Sequence, residues 1–168
     1  MAINDGLLPE FDREMGVTRR LLERVPDREF SWKPHEKSYS LGDLATHVAN
    51  LPRFAALIMS APELDIATIP RDVWGTLPPS TTELVSRFDG NIKEARAALA
   101  PRTDAEYMAL WTLKRAGQTV FTIPKVAAMR SFLMNHSIHH RGQLSVYLRL
   151  RNVPLPPMYG PTADEGAF

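Results

Sequence analysis

The sequence predicts an all-α domain in which four long helices pack side by side as a four-helix bundle. Four segments repeat apolar residues at steps of three and four, which is the spacing of one face of an α-helix. Most of the 14 prolines lie between those segments, where they end helices. Of the 168 residues, 44% are hydrophobic and 23% charged, which is typical of a single compact domain, here spanning residues 1–168.

The first two helices are predicted by their apolar stripes and by one start signal. The first stripe consists of Leu8, Phe11, Met15, Thr18, Leu22 and Val25. The second consists of Leu44, His47, Leu51, Phe54 and Ile58. Ser40 and Asp43 stand three residues apart, as in a helix capping box, so the second helix is expected to begin at about Ser40. Because Pro52 lacks a backbone N–H, a kink is expected near Leu51.

The third and fourth helices follow the same pattern. The third begins after Pro79, with Ser80, Thr81 or Thr82 as its N-cap, and ends before Pro101. The fourth is the longest and runs from about Ile123 to Arg151. Its predicted inward stripe consists of Val126, Met129, Leu133, His136, His140, Gln143 and Tyr147.

The segment from residue 104 to residue 122 lacks helical periodicity. It is rich in β-prone side chains, and Ala116-Gly117 is typical of a turn. The sequence therefore predicts either a short hairpin or an irregular segment before the last helix. The three tryptophans are expected to be packing residues or pocket walls: Trp32, Trp74 and Trp111.

Charge and composition exclude several classes of function. The formal net charge is only +1, whereas a nucleic-acid-binding protein normally carries a basic excess or a basic stripe. No apolar run approaches the ~18 residues of a membrane span. The N-terminal residues do not resemble a signal peptide, and the chain has no cysteine, which fits a reducing compartment. We therefore expect a cytoplasmic protein that binds neither nucleic acid nor membrane.

Three histidines are predicted to meet inside the bundle. His136 and His140 lie one helical turn apart on one stripe, and His47 lies on the matching stripe of the second helix. An unpaired buried polar group costs about 1–3 kcal/mol, and a divalent cation would satisfy all three imidazoles at once. The alternative is that these histidines are ordinary polar core residues of a helical interaction module.

Five further residues are candidates to support the ligands or the substrate. Asp43, Asn135 and Gln143 can hydrogen-bond ligand imidazoles or substrate, although Asp43 can equally be a helix cap. Arg141 can pair with an anionic substrate or with a carboxylate at a dimer interface. His139 is expected to support the ligands or to lie at an interface.

A motif in the last helix connects these residues to a known family. The segment 135–165 contains N-H-x-x-H-H-R-G-Q-L, then Y-L-R and a proline-rich tail, and the segment 41–52 contains L-x-x-L-A-x-H-V-A-N-L-P. Both resemble motifs of the DinB-like (damage-inducible, YfiT-like) family. The resemblance implies a four-helix bundle, often homodimeric, in which three histidines hold zinc or nickel, at His47, His136 and His140 here. Some relatives are thiol-dependent transferases or isomerases that use mycothiol or bacillithiol.

Three protein nitrogens leave an open coordination position, which is typical of catalytic zinc. The leading hypothesis is therefore a metal-dependent enzyme, either a thiol S-transferase or a hydrolase, acting on a small molecule. Because the chain has no cysteine, any thiolate must come from a low-molecular-weight thiol cosubstrate. The alternative is a metal-binding stress-response or structural protein without turnover, in which the tail or a loop would close the open position.

Overall fold

The computed structural model describes residues 2–70 and 75–166. Its helices are α1 (Ile3–Leu22), α2 (Leu41–Asn50), α3 (Phe54–Ser60), α4 (Thr81–Leu99), α5 (Asp104–Met108), α6 (Lys125–Ala128) and α7 (His136–Leu150). Its strands are β1 (Glu63–Asp65), β2 (Leu110–Arg115) and β3 (Gln118–Pro124). A π-helical segment, Met129–Asn135, joins α6 to α7. Trp74, a predicted packing residue, lies outside the described residues.

The prediction of an all-α four-helix bundle is wrong. The described residues form a three-stranded mixed sheet in addition to the long helices, and they add short helices such as α3 and α5. Strand β1 pairs in parallel with β2, and β2 pairs antiparallel with β3. The three residues of β1 are too few to show a periodic pattern in the sequence, and α5 is a single capped turn that begins after Thr103.

The β2–β3 hairpin occupies the segment for which the sequence left two alternatives. Its turn residues Ala116 and Gly117 have positive φ angles of 49° and 78°, which suit the twist of a two-residue hairpin loop. The carboxylate of Asp65 accepts hydrogen bonds from both turn amides, at 3.0 and 2.6 Å. Strand β1 is therefore bound to the hairpin by its backbone pairing with β2 and by the side chain of Asp65.

The starts of α2 and α4 follow the sequence signals. The Ser40 hydroxyl accepts a hydrogen bond from the Asp43 amide at 3.0 Å, and Ser80 is the N-cap of α4. The expected interruption at Pro52 is a 3-10 turn, Leu51–Arg53, between α2 and α3. Among the described residues, the helices are too short or too polar to cross a membrane.

The core lies between the long helices. Helices α1 and α2 each contact both α4 and α7. Trp111 and Leu113 of β2 are buried in the same apolar cluster, so the sheet covers one part of the helical core. The contact between α2 and α7 brings together the two helices that carry the three predicted histidines.

The buried face of α7 is one residue out of phase with the predicted stripe. Its buried residues are Ser137, Arg141, Leu144 and Leu148, whereas the prediction placed His136, His140, Gln143 and Tyr147 inward. The π segment has i→i+5 hydrogen bonds, so the rotation about the helix axis from one residue to the next is smaller than in an α-helix. Over the seven residues of the segment this difference accumulates, and the residue that faces the core in α7 falls one position later in the sequence. His136 and His140 are consequently half-buried, at the border between the core and solvent.

Candidate metal centre

Three imidazoles converge between α2 and α7. The Nε2 atom of His136 lies 3.3 Å from Nε2 of His47 and 2.9 Å from Nε2 of His140. The potential ligand atoms of the three residues all lie within 4.8 Å of one another. Two nitrogens bound at about 2.05 Å to a tetrahedral ion are roughly 3.3 Å apart, so the spacing is close to that of a coordinated set.

Polar partners outside the triad orient two of the rings. The Nδ1–H of His140 donates to the side-chain oxygen of Gln143 at 2.7 Å. The His136 ring hydrogen-bonds the backbone carbonyl of Phe132 in the π segment. The Nε2 atoms of His136 and His140 face each other across 2.9 Å, so a cation between them would be bound by both lone pairs. The donor set therefore fits a divalent metal ion.

The surroundings keep the triad uncharged. Burial and the neighbouring His140 and His136 rings lower the pKa of His47 to about 4. Burial is also the main cause that lowers the pKa values of His136 and His140, and it outweighs their hydrogen bonds to Phe132 and Gln143. At pH 7 the three imidazoles are neutral, which is the form that binds a metal ion.

Aromatic rings flank the triad on two sides. The ring of Tyr39 stacks on His47 with centroids 6.0 Å apart, and Tyr39 is 53% exposed. Phe54 lies 6.4 Å from the ring of His136 and packs against Phe132. The triad thus opens toward solvent between an exposed tyrosine and a buried aromatic wall.

Comparison with known proteins gives the family. The model of the DinB superfamily matches residues 10–144, which is most of the chain. This protein belongs to the DinB superfamily. Over 163 residues it is 23% identical to the uncharacterised protein YrdA of Bacillus subtilis (strain 168), with 97% of this chain and 92% of YrdA covered.

Two solved DinB-like proteins share the fold. One is from Bacillus cereus ATCC 10987, with a TM-score of 0.69, 20% identity, and coverage of 94% of this chain and 98% of the other. The second is YjoA of Bacillus subtilis, with a TM-score of 0.69, 21% identity, and coverage of 91% and 96%. At this identity the likeness establishes the architecture of the DinB-family chain.

The other predicted site residues lie in different places. Asp43 is exposed and accepts a hydrogen bond from the Ser40 hydroxyl at 2.7 Å, so it acts as part of the helix cap. Asn135 is exposed at the last position of the π segment. His139 is exposed, and its ring centroid lies 4.8 Å from that of His140. Only Gln143 of this group hydrogen-bonds a triad imidazole in the described part of the chain.

Arg141 faces away from the triad. Its side chain is buried and forms an ion pair with Glu14 of α1 at 2.7 Å. The predicted partner was an anionic substrate or a carboxylate at a dimer interface, whereas the structure pairs Arg141 within the chain. Glu14 sits on the buried face of α1 one step beyond Phe11, and this buried acid is the signal that identifies the partner.

A surface groove lies elsewhere on the molecule. It has a volume of about 440 Å³ and lies between α1 and α4. Its lining residues are Arg19, Glu23, Thr81, Thr82, Val85, Ser86 and Asp89. None of these belongs to the triad, and Arg19 is already paired with both acids, so the metal centre and this groove are separate features.

We expect zinc affinity to resist mild acid. Three independent imidazoles with the ordinary pKa of about 6.5 would lose roughly 30-fold in affinity between pH 7 and pH 6 as protons compete for the ligands. Because the pKa values of His47, His136 and His140 are lowered, the loss here should be clearly smaller. Competition titrations with a zinc chelator at both pH values measure it, and a loss of 30-fold or more would contradict the burial argument.

Replacing Gln143 with leucine should weaken zinc binding by about tenfold. The change removes the acceptor that holds the Nδ1–H of His140, and loss of such an outer partner typically costs 10–100-fold in affinity. Gln118→Leu, in the exposed hairpin, is the matched control and should bind as wild type does. Equal affinities for the two variants would show that Gln143 does not orient His140.

Proposed function

We propose that this DinB-family protein is a metal-dependent enzyme that activates a thiol cosubstrate or a water molecule for reaction with a small electrophilic substrate. The metal is a divalent ion, zinc or nickel, held by His47, His136 and His140. The observation that carries the proposal is the convergence of these three imidazoles, whose potential ligand atoms all lie within 4.8 Å of one another. Because Nε2 of His136 lies 2.9 and 3.3 Å from Nε2 of His140 and His47, one divalent ion would reach all three rings.

The number and position of the ligands support an enzyme rather than a purely structural site. Structural zinc is normally held by four protein ligands, whereas catalytic zinc keeps an open position. The cluster in the described residues contains three imidazoles, each half-buried. The fourth position of a tetrahedral ion is therefore left to solvent or substrate.

The C-terminal tail supports the same choice. A structural site would be closed by the tail or by a loop. Tyr159 and Pro157 of the tail instead contact Glu14 and Arg20 of α1. Among the described residues, this part of the tail packs beside Arg141, whose guanidinium lies 5.0 Å from the Tyr159 ring, and Arg141 leaves α7 about 100° away from His140.

Residues around the triad orient the ligand imidazoles and offer a surface to the substrate. Gln143 hydrogen-bonds Nδ1 of His140, and the backbone carbonyl of Phe132 hydrogen-bonds the His136 ring, so both rings are oriented toward His47. A bound divalent ion supplies Lewis acidity, which lowers the pKa of a coordinated thiol or water so that the nucleophile forms near neutral pH. The exposed ring of Tyr39 beside His47 offers an apolar surface for a substrate at the open side.

The test offers thiols and electrophiles to the metal-free, zinc-loaded and nickel-loaded protein. Glutathione, bacillithiol and mycothiol are each combined with a chromogenic acceptor in which the thiolate displaces a leaving group, forming a carbon–sulfur bond and releasing one proton. An activated ester without thiol tests the hydrolase arm. We expect turnover that requires metal and disappears in His136→Ala. Absence of turnover in every metal-loaded arm would contradict the enzyme proposal, while metal binding would still support a non-catalytic metal protein.

A further inference from the structure

We propose that Arg141 is a positioning residue for the metal centre. Its buried guanidinium fixes the rotation of α7 against α1 and thereby aims His136 and His140 at His47. The importance of this role rests on the proposed metal-dependent function, but the positioning itself concerns the three rings and can be measured without metal.

Both terminal nitrogens of the Arg141 guanidinium make directional contacts. Although charged, it is only 1% exposed. Its Nη1 donates to the backbone carbonyl of Glu14 at 3.0 Å and to the hydroxyl of Thr18 at 3.1 Å, and its Nη2 donates to Oε2 of Glu14 at 2.7 Å. The Tyr159 hydroxyl donates to the same Glu14 oxygen at 2.8 Å, and its ring lies 5.0 Å from the guanidinium.

The neighbouring buried residues of α7 make no directional contacts, within the described part of the chain, that would fix the rotation of the helix. Leu144 and Leu148 are fully buried, but apolar contacts are non-directional and tolerate small rotations. The hydroxyl of Ser137 is buried without a hydrogen-bond partner among the described residues. On the core-facing side of α7, the hydrogen bonds that set rotation against α1 are therefore those of Arg141.

Helix geometry links this contact to the metal site. Arg141 follows His140 directly, so the two side chains leave α7 about 100° apart and move together when the helix turns. A rotation of about 20° moves an atom about 6 Å from the helix axis by roughly 2 Å. Metal–ligand distances tolerate only about 0.2 Å, so a small rotation of α7 would separate the Nε2 atoms that now lie 2.9 and 3.3 Å apart.

The energetics of buried ion pairs favour a positioning role over a stabilising one. Removing two charges from water carries a large desolvation penalty, and replacing a buried pair by apolar residues of similar size is often neutral or stabilising. The Arg141–Glu14 pair, with side chains 2% and 8% exposed, is therefore poorly explained by fold stability. Setting a register is the best-attested use of such pairs.

The experiment replaces the pair by apolar side chains of similar length. The double variant Arg141→Met/Glu14→Met removes both charges together, and Tyr159, which is 60% exposed, can hydrogen-bond water instead. Arg149→Met is the matched control, because it breaks an exposed ion pair between α7 and the tail. Each variant is compared by thermal midpoint, zinc affinity, the visible spectrum of bound Co²⁺, and NMR cross-peaks between the His47 ring and the His136 and His140 rings.

We expect the double variant to fold with a thermal midpoint near that of wild type, to lose ring–ring cross-peak intensity, and to bind zinc at least tenfold more weakly with an altered Co²⁺ spectrum. Arg149→Met should match wild type in all four measurements. A folded double variant with wild-type cross-peaks and zinc affinity within twofold would overturn the proposal. If wild type binds no zinc but its cross-peaks still depend on the pair, the metal function fails while the positioning role stands.

A milder variant guards against failure of the double variant to fold. Thr18→Val removes one acceptor of Arg141 at nearly constant shape. We expect weaker ring–ring cross-peaks and about threefold weaker zinc binding. Unchanged cross-peaks and affinity in Thr18→Val would overturn the proposal where the double variant cannot be purified.

Discussion

Replacing His136 with alanine is expected to weaken zinc binding by more than about 100-fold. His136 is the central member of the triad, since its Nε2 lies near those of both His47 and His140. Loss of an outer partner of a ligand alone costs about 10–100-fold, and loss of the ligand itself should cost more. Metal analysis after dialysis, together with competition titration, measures the change.

The matched control for this variant is His139→Ala. His139 is on the same helix and its ring touches that of His140, but it is exposed and lies outside the triad. We expect it to retain zinc affinity within about threefold of wild type. If both alanine variants retain wild-type zinc binding, the ion is held elsewhere and the triad is not its site.

Replacing Glu14 alone with glutamine is expected to destabilise the fold by about 3–5 kcal/mol, the usual effect of leaving a buried charge without its partner. Arg141 would keep its charge while being 1% exposed, and Tyr159 would lose its carboxylate acceptor. Urea denaturation with the m-value held in common measures the change in the free energy of unfolding.

Glu10→Gln provides a control one helical turn away. Glu10 is also an acid of α1 that pairs with an arginine, here Arg130 of the π segment, at 2.7 Å. That pair is exposed, with side chains 53% and 36% accessible, so its loss should cost less than about 1 kcal/mol. Similar losses at Glu10 and Glu14 would show that burial does not govern the strength of these pairs.

The predicted fourth helix, from about Ile123 to Arg151, is instead the end of β3 followed by α6, the π-helical segment and α7. The starts of α2 and α4 could be predicted because their signals are local. The Ser40 and Ser80 caps and the break at Pro52 depend on residues three or four positions apart, and each acts where it was expected. Strand β1 could not be predicted in this way, because Glu63–Asp65 is ordered by pairing with β2 nearly fifty residues later. The four-helix prediction was therefore wrong because the sheet depends on contacts between residues that are far apart in the sequence.

The site shows the same division. The spacing of His136 and His140 and the matching position of His47 were enough to predict that the three rings meet, as they do. The histidines were predicted to lie in the core, whereas the π segment turns Ser137 and Arg141 inward and leaves the histidines at the edge of the core. A change in helix type has no clear sequence signature, so the solvent-facing character of the site and the role of Glu14 required the structure.

We expect one metal ion to bind among the three imidazoles of His47, His136 and His140. Crystals grown with zinc and measured at the zinc absorption edge test it most directly. We expect one strong anomalous peak about 2.0–2.1 Å from the Nε2 atoms of His47, His136 and His140. A zinc-replete crystal with no anomalous peak between these rings, or with the ion bound to other residues, would contradict the account.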